Sequence, residues 1–264
     1  MNRLDKLFNN KKENILSIYY TAGYPKLTDT ATILKELQES GADLVEIGMP
    51  FSDPVADGPV IQESSKIALQ NGMSVKVLFE QLQNIRNEIN IPIILMGYIN
   101  PVMQYGIEKF CQKAQEIGID GLIIPDLPFD LYMRDYKEMF TKYNLHNINL
   151  ITPSTSDKRI KQIDDNSTSF IYVVSSASTT GTKQADNNVL KTMFDRLQNI
   201  KSPTLIGFGI SDKNTFKNAC NFANGAIIGS AFVNCLTRKQ NIDNFITNIL
   251  NTDNLQLNKS ISFN

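Results

Sequence analysis

The chain has 264 residues, 42% of them hydrophobic, and its 26 Lys and Arg nearly balance 27 Asp and Glu, for a formal net charge of −1. That balance leaves no basic face for nucleic acid, and no apolar run approaches the about 20 residues of a membrane span. Three cysteines without C-x-x-C spacing and a single histidine, His146, exclude a His-rich metal site and argue against a disulfide framework. All four are expected to be structural, and no metal is expected. Residues 1–10 lack the apolar core and cleavage site of a signal peptide, so the expected location is the cytoplasm, or the plastid stroma if the chain is organelle-encoded.

Along the chain, residues 1–13 read as a short amphipathic helix with Leu4, Leu7 and Phe8 on one face. Short apolar runs then recur at 15–20, 44–47, 93–96, 122–124, 148–151, 170–174, 204–206 and 226–228. They are apolar at consecutive positions, the pattern of strands buried on both faces of a parallel sheet. Between them, 28–40, 75–89, 107–117, 131–143, 189–200 and 232–250 carry helical period, and Ser156 and Asp212 are suited to be N-caps. Eight strands alternating with helices, with no dividing linker, predict an α/β fold: a single (β/α)8 TIM barrel over residues 1–264, with an extra N-terminal helix and a flexible tail at 251–264. An open, doubly wound sheet is the alternative, although the glycine turns do not follow the dinucleotide fingerprint.

In a barrel the chemistry belongs at the C-terminal ends of the strands. After the second strand comes Glu46-Ile-Gly-Met-Pro-Phe-Ser-Asp-Pro-Val-Ala-Asp-Gly58. Glu46 lies inside an apolar strand, where an ionised carboxylate is expensive to bury and a raised pKa suits proton transfer near neutrality; a glutamate paired with an internal base is the other reading. Asp57 follows on the loop, either as the second acid or as ordinary Asp-Gly turn chemistry. After the sixth strand, Tyr172 leads into a small hydroxyl-rich segment ending in Thr180 and Gly181, suited to a lid or to a plain solvated loop. Gly207-Phe208-Gly209 after the seventh strand and Gly229-Ser230 at the head of a helix after the eighth form a pair of glycine turns suited to phosphate. Neither turn holds a Lys or Arg, so backbone amides are expected to make most contacts. Tyr19, Met96, Ile123, Phe208 and Ile227 are candidates to line a pocket for a flat ring, with barrel core as the alternative for each.

These motifs, with Thr21-Ala-Gly-Tyr-Pro25 and Asp126-Leu-Pro128, resemble the tryptophan synthase alpha chain family in order and over nearly the whole length. The resemblance implies a lyase that splits indole-3-glycerol phosphate into indole and glyceraldehyde 3-phosphate. It implies catalytic roles for Glu46 and Asp57, and substrate contacts from Tyr172 and the glycine turns. It implies no cofactor on this chain, and a pyridoxal-phosphate beta chain as partner in an alpha2-beta2 heterotetramer. Asp53, Pro54, Asn100 and Pro101 match the family's docking surface. One departure is Ser178, where the family's lid carries glycine.

Overall fold

The apolar runs form the parallel strands of one sheet in the computed structural model, which describes residues 1–174 and 193–250. The strands are β1 (Ile15–Thr21), β2 (Leu44–Gly48), β3 (Ile93–Met96), β4 (Gly121–Ile123), β5 (His146–Asn147), β6 (Leu150–Ile151), β7 (Ile171–Val174), β8 (Thr204–Gly207) and β9 (Gly225–Ile228), in the order β5-β4-β3-β2-β1-β9-β8-β7-β6. The edges are two halves of one strand. Between β5 and β6, the Ile148 N–H donates to Leu122 on one side (2.9 Å), and the Asn149 carbonyl accepts from Tyr172 N on the other (3.0 Å). The sheet therefore closes into an eight-stranded barrel, and the expected continuous strand at 148–151 is interrupted where it changes neighbour.

Helices Arg3–Asn10, Asp29–Ser40 and Ile107–Glu116 fall within the expected stretches. Asp29–Ser40 turns Ile33, Leu34 and Leu37 inward and stops at Gly41, whose φ of 102° suits a residue without Cβ. Elsewhere the expected helices are broken. The stretch 75–89 is a helix Val75–Leu82 followed by a 3-10 turn Ile85–Asn87, and 131–143 contains a π-helical segment, Tyr132–Tyr136. The stretch 232–250 is two helices, Ser230–Thr237 and Ile242–Leu250, because Lys239 is left-handed (φ 55°) and cannot propagate the first. Of the stretch 189–200, residues 193–197 are helical and 189–192 lie outside the described residues. Ser156 and Asp212 cap helices Asp157–Asn166 and Lys213–Cys220 by accepting from Arg159 N and Thr215 N. Pro59–Gln70 and Ile99–Tyr105 are helices that periodicity did not reveal.

The N-terminal segment laces one end of the barrel. Asp43, Asp120 and Asn224 each precede a strand and accept an N–H from the start of the neighbouring strand, from Leu16 (2.8 Å), Ile93 (2.9 Å) and Thr204 (2.8 Å). Each is also tied to the N-terminal segment: Lys11 pairs with Asp43, Arg3 with Asp120, and Asn224 donates to the Lys12 carbonyl. Arg86 completes the buried Asp120 cluster at 2.5 Å. Leu4, fully buried, plugs this end, and Phe8 packs its ring on Phe170. His146 belongs here too, with Nε2 3.0 Å from Asp5 and Nδ1 2.9 Å from Thr168. Cys111 and Cys235 are buried, Cys220 is half-buried, and all three are free thiols. With this end closed, the C-terminal ends of the strands are the open mouth. Among the described residues no helix is long and apolar enough to cross a membrane.

Candidate active site

A cavity of about 470 Å³ opens at that mouth, within the usual range for small-molecule sites. Its walls come from distant parts of the sequence: Tyr19 from β1, Asp57 and Gly58 from the loop after β2, Met96 from β3, Tyr172 from β7, Phe208 and Gly209 after β8, and Ile227, Gly229 and Ser230 at β9 and its helix. Two glycines make room for the tyrosines. A Cβ on Gly48 would occupy the place of the Tyr19 hydroxyl, and one on Gly207 that of the Tyr172 hydroxyl. Each ring can thus lie across the neighbouring strand, and both phenols are buried, with pKa values pushed up by desolvation and by the nearby carboxylates.

Glu46 stands beside this cavity without lining it. Its register partner on β1 is Tyr19 and on β3 is Ile94. The side chain is fully buried, and Oε1 accepts from the Ser17 hydroxyl at 2.8 Å. Oε2 is buried and has no hydrogen-bond partner among the described residues. Burial pushes the carboxyl from an ordinary 4.5 to about 8, against the opposing influence of the Ser17 hydrogen bond. Glu46 is thus chiefly protonated at neutral pH, and among the described residues its side-chain hydrogen-bond partner is Ser17.

Asp57 is held by a short chain of contacts. Tyr98, buried and packed against Phe51, donates its hydroxyl to Asp57 Oδ2 at 3.0 Å and accepts from Ala56 N at 2.9 Å. Gln62 donates to the Asp57 carbonyl (2.8 Å). Burial raises the Asp57 pKa and the Tyr98 hydrogen bond lowers it. Among the described residues no donor reaches Oδ1, which leaves that oxygen to the cavity.

The glycine turns lie across the mouth, β8 being three strands round the barrel from β2. Phe208 and Gly209 both have positive φ, 72° and 74°, a tight turn at the edge of the cavity. Phe208 holds a conformation costly for a residue with a side chain. Gly229 caps helix Ser230–Thr237 without a side-chain bond, so the first turn's N–H groups and the positive end of the helix dipole face the cavity. Among the described residues no cation lines it, so these residues would hold an anion through backbone donors.

Of the expected site residues, Asp57, Tyr172, Gly209, Gly229, Ser230, Phe208, Tyr19, Met96 and Ile227 share the cavity. Ile123 does not reach it and is fully buried between β3 and β5. Thr180, Gly181 and Ser178 lie outside the described residues. Asp53 and Asn100 are exposed, and Pro54 and Pro101 are half-exposed, on the loop after β2 and on helix Ile99–Tyr105. Sequence reasoning missed Ser17 and Tyr98. A serine in the otherwise apolar and aromatic run 15–20 was the available sign for Ser17; Tyr98 gave none beyond its place after the third strand.

The family model for the tryptophan synthase alpha chain matches residues 6–261. The chain belongs to the tryptophan synthase alpha chain family. A Flavobacterium psychrophilum alpha chain is 54% identical over 253 residues, covering 94% of this chain and all of that one. One from Flavobacterium johnsoniae is 58% identical over 240 residues, covering 90% and 94%. In solved structures the chain is similar to the alpha subunit of tryptophan synthase from Legionella pneumophila (TM-score 0.84, 32% identity, covering 94% of this chain and 97% of that one). The tryptophan synthase alpha family thus accounts for the barrel and for the order of motifs around its mouth.

Proposed function

We propose that Glu46 and Asp57 are the acid–base pair of the reaction this chain performs, the retro-aldol cleavage of indole-3-glycerol phosphate to indole and glyceraldehyde 3-phosphate in the alpha half-reaction of tryptophan biosynthesis. The observation that carries the reading is the meeting of Asp57 and the glycine turns in one cavity, with Glu46 buried beside it and both carboxyls raised by burial. A flat ring lies against Met96, Ile227, Phe208 and Tyr19, and the phosphate takes the turns at Gly209 and Gly229. Binding energy gained there orients the bond that breaks, at a distance from it.

Glu46, protonated, delivers its proton to C3 of the indole ring. Aromaticity is lost and the ring nitrogen carries positive charge, which Asp57 stabilises by accepting from the ring N–H. The Glu46 carboxylate then takes the proton of the glycerol hydroxyl next to the ring. The C–C bond breaks, its electrons restore the indole, and the hydroxyl carbon becomes the aldehyde. Each step uses only proton transfer and electrostatics, so the reaction as proposed asks for no cofactor on this chain. Tyr172 confines Glu46 and the glycerol portion, and Thr180 and Gly181 serve as the lid.

The chain works with a beta chain that carries pyridoxal phosphate, in an alpha2-beta2 assembly. Asp53, Pro54, Asn100 and Pro101 form the docking surface, beside the exposed side chains of Val55 (87%) and Met103 (57%). Residues 1–264 act as one barrel domain, and the bacterial relatives favour the cytoplasm over the plastid stroma. Incubating the purified chain with indole-3-glycerol phosphate, alone and with a beta chain, tests the reading. Stoichiometric indole and glyceraldehyde 3-phosphate support it; no indole under either condition overturns it.

A further inference from the structure

Ser17 is a polar residue in an apolar and aromatic stretch of β1. It is fully buried on β1 among Leu16, Ile18, Tyr19 and Tyr20, and a hydroxyl there must find a partner or forfeit its hydration. The partner is Glu46. The register shows what the contact does: Tyr19 lies level with Glu46, and Ser17 lies level with Leu44, two residues nearer the laced end of the barrel. Ser17 and Tyr19 share the same face of β1. To reach the Ser17 hydroxyl, the Glu46 side chain turns down from its own level, away from the mouth. Tyr19 and Tyr172 line the cavity, and Glu46 does not.

We propose that Ser17 is the positioning residue of Glu46: its hydroxyl fixes the resting place of the carboxyl, beneath the cavity floor. The inference rests on the catalytic reading of Glu46 given above. The resting place is a held one. Among the described residues Oε1 has a single partner and the buried Oε2 has none, so the Ser17 hydroxyl is what ties the carboxyl there. The titratable groups facing it are Tyr19 from β1 and Tyr172 from β7, with Asp57 beside them. From β3 the residue at its level is Ile94. Burial and Ser17 are the two influences on its proton affinity, and a donated hydrogen bond favours the ionised form. Ser17 therefore governs both where Glu46 waits and the pH at which it is charged.

The test is to titrate Glu46 in the ligand-free full-length chain. The carboxyl C=O stretch is followed by infrared difference between each protein and its Glu46→Gln counterpart. Ser17→Ala is expected to move the midpoint up by about one pH unit, a tenfold change in the acid constant, the size of one lost hydrogen bond to a charged group. Ser17→Thr, which keeps a hydroxyl, is expected to restore it. Turnover by the chain with its beta chain is expected to show the alkaline limb of kcat/KM, which reports the free enzyme, displaced in the same direction, with KM at neutral pH within twofold, since Ser17 does not touch the cavity. An unchanged Glu46 midpoint in Ser17→Ala overturns the proposal. If Ser17→Ala does not fold, Ser17→Cys supplies the comparison through its weaker donor, and an unchanged midpoint there has the same meaning. The infrared titration does not depend on turnover, so a chain that makes no indole defeats the catalytic reading without deciding the role of Ser17.

Discussion

Replacing Glu46 with glutamine should stabilise the protein, and by an amount that grows with pH. The wild-type carboxyl is fully buried and titrates at about 8 in place of 4.5. Between those values the native state holds one proton more than the unfolded chain, so unfolding free energy falls as pH rises, by about 1.4 kcal/mol per pH unit from this group alone. The stability is fully present below pH 4.5 and its loss is complete above pH 8, for a total of about 5 kcal/mol. Glutamine cannot ionise and carries no such slope. Urea unfolding of both proteins, followed by far-ultraviolet circular dichroism between pH 5 and 7.5, isolates the effect, because every other group titrates alike in the two. Glu46→Gln is expected to gain about 3 kcal/mol on the wild type across that range, or about 1 M in urea midpoint at an m-value of about 3 kcal/mol/M. Two unfolding profiles that run parallel with pH would refute the reasoning. Glu46 would then titrate as an ordinary carboxylate, and its place as a neutral acid at pH 7 would be lost.

Two further expectations concern the other carboxylate and the phosphate turns. Tyr98→Phe removes the hydrogen bond that favours ionised Asp57, so the acid limb of the kcat/KM profile should move to higher pH; a limb that stays in place or moves down contradicts the assigned contact. Gly209→Ala forces a Cβ onto a residue with φ of 74° at the edge of the cavity. It should reduce stability by about 1 kcal/mol and raise KM at least about tenfold, as expected when a binding turn is distorted; an unaltered KM would put the phosphate elsewhere.

The parts of this molecule that were legible in the sequence are those with a local cause. Residues 44–47 read as a strand because nothing but a doubly buried strand explains Leu-Val-Glu-Ile between turn residues, and β2 occupies Leu44–Gly48. Glu46 stood out because an acid in such a run is costly in any conformation. The glycine turns after the last two strands were visible because close backbone approach needs them. What was hidden depends on contacts between distant segments. Period alone joined 232–250 into one helix, and only the left-handed Lys239 separates the two. The strand expected at 148–151 is instead two short pieces, His146–Asn147 and Leu150–Ile151, which pair with different neighbours. Ile123 was a candidate pocket residue by its place at a strand end, yet the mouth is lined by Met96 from the strand before it. Ser17 and Tyr98 matter through the carboxylates they touch, and register between strands is not written in either residue's own neighbourhood. The proposed lid, from Ser178 to Gly181, lies outside the described residues.

The central claim is that the buried acid on β2 moves the protons of the cleavage. The most direct measurement is single-turnover indole release from bound indole-3-glycerol phosphate by the complex with a beta chain, wild type against Glu46→Gln, with substrate affinity measured alongside. The account predicts a fall in the cleavage rate of at least about 100-fold, the usual contribution of a general acid–base group, with affinity held because Glu46 does not line the cavity. Indole released at the wild-type rate by Glu46→Gln would contradict it.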